Sequence, residues 1–104
     1  MQRVNEGSRI RITATLLDPD DAPSTPNSLR YRLDCDTTGT VLIDWTDAAA
    51  TSSLEVVVAA NSNRIINTRN LVERKVFTVE ANGGTDDEFT DDVTYEVRNM
   101  TGVE

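Results

Sequence analysis

The chain has 104 residues, which fits one domain whose folding would bury about two-thirds of the surface of the extended chain. Hydrophobic residues make up 38% and charged residues 27%, which excludes wholesale disorder; 18 acidic against 10 basic residues give a net charge of −8, which disfavours nucleic acid as a partner. Histidine is absent, so histidine-dependent serine or cysteine triads are excluded, and the lone Cys35 cannot form a disulfide within the chain.

The amino end "MQRVNEGSRI" lacks the basic start and apolar core of a signal peptide, and no stretch approaches the roughly 18 apolar residues of a membrane span. The expectation is a protein made in the cytoplasm with no membrane partner. A start at Met and an end soon after the last apolar run suggest a complete small gene product.

In chain order, "MQRVNE" offers an edge strand through Val4. "RIRITATL" then alternates, with Ile10, Ile12, Ala14 and Leu16 on one side and Arg9, Arg11, Thr13 and Thr15 on the other. This period of two marks a half-buried strand. The loop "LLDPDDAPSTPNS" follows: Pro19 has no amide hydrogen and stops strand pairing, while Pro23 and Pro26 stiffen the return. "LRYRLDC" places Leu29, Tyr31, Leu33 and Cys35 on one face, and the turn "DTTG" leads into "TVLIDW", with Val41, Ile43 and Trp45 on one face. "SLEVVVAA" points Leu54, Val56 and Val58 one way, and its β-branched content favours a strand.

Residues 61 to 74, "NSNRIINTRNLVER", follow neither period and read as a long crossing loop with at most one helical turn. "KVFTVEA" and "DVTYEVRNM" alternate again, with Phe77, Val79 and Ala81 on one face and Val93, Tyr95 and Val97 on the other strand's face, around the acidic tip "NGGTDDEFTD". Short alternating strands without a helical period predict an all-β fold, an antiparallel β-sandwich of about seven strands occupying residues 1–104 as one domain. Trp45, Tyr31, Tyr95 and Phe77 are its expected large core fillers.

Little in the sequence carries catalytic chemistry. Cys35 alternates with Leu33 on an inward face, where a thiol is inert packing, and "NGGT" has neither the lysine nor the following helix of a phosphate loop. Two acidic clusters, Asp18, Asp20 and Asp21, and Asp86, Asp87, Glu88, Asp91 and Asp92, leave calcium conceivable, but they lack the spacing of a known calcium loop, so neither metal nor cofactor is expected. Arg30 and Arg32 on an outer face can pair with Glu80 and Glu96. Asn99-Met100-Thr101 matches a glycosylation sequon in a chain with no secretory signal.

"VNEGSRIRITATLLDPDD" resembles the opening of bacterial and phage immunoglobulin-like domains. With "LRYRLDCDTTGTVLIDWT", "ERKVFTVEA" and the closing "VTYEVRNMTGV", most of the chain from Val4 to Val103 resembles small virion proteins of tailed bacteriophages built on an immunoglobulin or fibronectin type III-like sandwich. The resemblance implies a non-enzymatic structural protein of the virion, a capsid decoration or cement protein present in many copies, with the major capsid protein or other virion proteins as partners and a homo-oligomer left open. A head-tail connector or tail-associated role is the alternative, followed by a carbohydrate- or receptor-binding module. The expectation of a chain that stands alone departs from the many phage immunoglobulin-like modules that are fused to a capsid or tail domain. The first interface candidate is the crossing, with Arg64, Ile65, Ile66, Arg69, Leu71, Val72 and Arg74; its apolar residues either anchor a partner or plug one end of the sandwich. The tip at residues 83 to 92 is the second.

Overall fold

The computed structural model describes residues 2–17, 20, 22–85 and 88–100. Its strands are β1 (Gln2–Asn5), β2 (Ile10–Thr15), β3 (Leu29–Cys35), β4 (Thr40–Ala48), β5 (Ser53–Val58), β6 (Val72–Ala81) and β7 (Phe89–Arg98), with a 3-10 turn at Ala60–Asn63 between β5 and β6. No α-helix occurs among the described residues, so the chain is all-β as its alternation predicts. β1, β7, β6, β3 and β4 form a five-stranded sheet in that order, and β2 pairs with β5 in a separate two-stranded sheet.

The expectation of a purely antiparallel arrangement needs correcting, because β1 runs parallel to β7, Gln2 beside Tyr95 and Asn5 beside Arg98. The reason lies in the next residues. The Glu6 amide donates to Arg98 O, and Gly7, at φ 74°, turns the chain away so that its own amide donates to Asn63 O. Positive φ costs glycine little. The chain thus leaves the larger sheet after β1 and starts β2 in the smaller one, which leaves β1 to pair along the edge of β7.

The two sheets share one apolar cluster. Ile12, Leu16, Leu54, Val56 and Val58 on the β2–β5 side meet Leu29, Leu33, Phe77, Val79, Ala81, Tyr95 and Val97 on the other, with Ile65 added from the crossing. Tyr31 stacks on Phe77 with ring centroids 5.5 Å apart. The inward residues predicted for β2, β3, β5 and β6 are therefore in place.

β4 departs from the prediction. Its register against β3 shifts on either side of the Leu33–Ile43 pair, so that Leu42 and Ile43, adjacent in sequence, both pack against the core. Such a bulge reverses the alternation beyond it. Val41 is exposed, and Trp45 lies on the outer face, where the Arg30 guanidinium sits 4.2 Å and that of Arg32 5.5 Å from its ring centroid. Trp45 is thus no core filler; it is covered by cations drawn to its face.

β6 carries its alternation further back than expected. Phe77, Val79 and Ala81 face inward, and two steps earlier so do Lys75 and Glu73, both with 0% side-chain exposure.

Candidate functional site

The chemistry-bearing side chains gather under the crossing between β5 and β6. This segment has no ladder partner, so its amides must bond elsewhere. The Ile66 amide donates to Glu73 Oε1 at 2.6 Å, the Asn67 amide to Oε2 at 2.8 Å, and Asn70 Nδ2 to Oε2 at 2.9 Å. Lys75 Nζ donates to Arg64 O at 3.0 Å and lies 3.4 Å from Glu73 Oε1. Cys35, opposite Lys75 in the sheet, points its thiol at the same oxygen from 3.9 Å.

Asn63 forms a second knot. Tyr95 Oη donates to its Oδ1 at 2.6 Å, and its Nδ2 donates to Ser8 O at 2.8 Å, which ties β7 to the turn before β2. Asn99 closes the far side by donating from Nδ2 to Thr68 O and Asn70 O. Among the described residues, no buried side-chain nitrogen or oxygen lacks a partner.

Burial pushes the pKa of Glu73 up, but the Ile66 and Asn67 amides, the Asn70 side chain and the Lys75 charge outweigh it and hold the carboxyl below its ordinary 4.5. It is a carboxylate at neutral pH. Burial raises the Tyr95 phenol, which stays protonated as a donor. The cluster is enclosed: Glu73, Lys75, Asn63 and Cys35 are 0% exposed, so the enclosure leaves substrate no route to the carboxylate, the amine or the thiol. The arrangement can fasten the crossing. It does not form an open cleft.

The structure divides the predicted interface residues. Ile65 is core, at 7% exposure, and Ile66 and Val72 are half-buried. Ile65 fills the core, held beside the Ile66 and Asn67 amides that Glu73 binds, whereas Val72, out of phase with inward Glu73, lies toward the outer face, and neither it nor Ile66 joins the core cluster. Leu71 is 66% exposed, and its carbonyl accepts the Asn99 amide; Met100, the next residue, is 55% exposed. Arg64, Arg69 and Arg74 are exposed around this end, as are Arg9 and Arg98. Of these, Arg74 is 3.9 Å from Asp36.

The opposite end is acidic. Asp20, Asp47, Glu88, Asp91 and Asp92 are exposed there, while Arg30 pairs with Glu80 at 2.8 Å as the sequence suggests. Arg32 pairs with Asp34, and Glu96 takes Arg3 instead. The molecule, 49 Å along its longest axis, is polarised from an arginine end to a carboxylate end. Of the acidic clusters, Asp18, Asp21, Asp86 and Asp87 lie outside the described residues. Among the described ones, no group of three or more His, Cys, Asp or Glu could hold a metal. The sequon residue Asn99 is buried and engaged through its Nδ2. Among the described residues no helix is long and apolar enough to cross a membrane.

The Glu73–Lys75 pair and the Asn63–Tyr95 bond escaped the sequence reading. The signal was there: stepping back by twos from Phe77 puts Lys75 and Glu73 on the inward face, opposite charges at adjacent inward positions. Compared with known proteins, the chain matches no family model, no curated protein and no solved structure.

Proposed function

We propose that the protein is a non-enzymatic structural component of a tailed-phage virion, an immunoglobulin-like decoration protein that docks on the assembled shell through its arginine end. The observation that carries this reading is the exposed Leu71, which with the exposed Arg64 and Arg69 lies on a segment fastened from beneath by Glu73. Arginine is enriched both at protein interfaces and among the residues that carry most of their binding energy. A tethered loop also loses little entropy on docking. The resemblance in residues 4 to 103 supports the virion context.

Such a protein binds assembled shell better than free subunits, and that difference in affinity stabilises the shell by linkage. Many copies make weak contacts sufficient. The carbohydrate-binding alternative is less favoured, because Trp45, the aromatic on the outer face, is already covered by Arg30 and Arg32.

The test is to incubate the purified protein with undecorated shells and count bound copies. Tens to hundreds per particle, reduced at least about tenfold by Leu71→Asp with Arg69→Glu at unchanged melting temperature, support the reading. A count of six or twelve would move the protein to the connector, and no binding to any particle would end the virion reading.

A further inference from the structure

The two-stranded sheet is too narrow for the sheet beneath it. β2 pairs only with β5, so its other edge has no strand neighbour among the described residues. Under that edge lies a cleft of about 180 Å³, lined by Thr13 to Leu16 of the β2 side and by Phe77, Val79, Phe89, Asp91, Asp92 and Val93. The register of β7 on β6 puts Ala81 opposite Phe89, Val79 opposite Asp91 and Phe77 opposite Val93. Since Ala81, Val79 and Phe77 face the core, Phe89, Asp91 and Val93 occupy the same inner face. Yet Phe89 is 38% and Val93 45% exposed, because nothing described lies over them.

We propose that this seam accepts an extended segment of another protein, added as a third strand beside β2, with inward side chains that run apolar, basic, apolar over Phe89, Asp91 and Val93. The free amides and carbonyls along β2 call for an extended backbone, the usual basis of strand addition. Alternate side chains of such a strand fall at the two-residue spacing of the three β7 residues. The outer two find an apolar surface to bury, and the middle one meets the Asp91 carboxylate.

Charge selects the occupant. Asp91 and Asp92 line the seam, and no basic side chain does so among the described residues. A second copy of this chain, at net charge −8, would bring Asp91 and Asp92 of its own seam against these if two seams met, and is disfavoured. An inward-pointing charge near a sheet edge is also a device against self-pairing. The same carboxylate that deters a second copy therefore admits a partner strand that carries Lys or Arg at the matching position. This inference is independent of the virion reading, since it rests on the seam and not on the arginine end.

The test uses the full chain and a blocked heptapeptide with valine, lysine and valine at its second, fourth and sixth positions and threonine elsewhere, followed by amide chemical shifts. Shifts are expected at Thr13, Thr15 and residues 89 to 93, and replacing the lysine by glutamate should weaken binding about threefold to fivefold. In Asp91→Lys, whose side chain is exposed and so tolerant of change, the preference should invert in favour of the glutamate peptide. Absence of shifts at millimolar peptide, shifts confined to other surfaces, or equal affinity for both peptides in both proteins would overturn the proposal. Binding to the seam persists in Leu71→Asp if the proposal is right, whatever that variant does to particle docking.

Discussion

Glu73 and Lys75 form a buried ion pair, and the energetics of such pairs are asymmetric: the pair contributes little net stability, but removing one member leaves a desolvated charge. Lys75→Met is expected to cost about 3 kcal/mol of unfolding free energy by denaturant titration, because Glu73 keeps its amide donors and loses its counter-charge. The pH dependence follows from the direction of the Glu73 shift. Its carboxyl is held below 4.5 in the folded state, so the unfolded chain takes up the proton first as pH falls. The stabilisation is complete above 4.5 and is lost as pH falls through the lower folded value. Measured from neutral pH downward, the stability difference between the wild type and Glu73→Gln should therefore shrink only below about pH 4.5. Tyr95→Phe leaves the Asn63 oxygen buried without its donor and is expected to cost about 1–3 kcal/mol.

At the scale of the element, β4 is decisive. If Trp45 lies on the outer face, half-buried under two guanidinium groups, acrylamide should quench the fluorescence of this lone tryptophan in the folded protein, less readily than in the unfolded chain but far more than a core tryptophan would allow. Trp45→Ala should cost about 1 kcal/mol or less, against about 3–5 kcal/mol for the core residue Phe77. A strongly protected, blue-shifted tryptophan would contradict the bulge. The same strand shows where sequence reading stops. Alternation located β2, β3, β5, β6 and β7 because one inner face demands a period of two, and it named Leu33, Val58 and Phe77 correctly. It failed at β4 because a bulge adds one residue without changing composition: Leu42 and Ile43 look like any apolar pair. The parallel pairing of β1 was not legible either, since "MQRVNE" carries one apolar position beyond the initial Met and its partner lies more than ninety residues away. Within the crossing, Ile65 and Leu71 are both apolar in sequence, and only the Glu73 network decides that the first goes down into the core and the second stays out.

The whole molecule is a polarised rod, with exposed arginines at one end and carboxylates at the other. Its docking should therefore depend on salt if the arginine end meets an acidic partner, with affinity falling as ionic strength rises and the decline flattened in Arg69→Glu. Ile65→Ala separates packing from docking: it should cost about 2–5 kcal/mol in stability while particle binding by the folded fraction stays unchanged.

Cys35 closes the inner face with no exposure of its own and no second thiol elsewhere in the chain. A thiol reagent can reach it only when the sheets part, so its alkylation rate under native conditions is a clock for that opening. No engineered probe is needed. If the sheets part only in global unfolding, the clock in Lys75→Met should run faster by the factor that its lost unfolding free energy dictates, and any smaller acceleration would mean that the inner face opens without the whole protein coming apart.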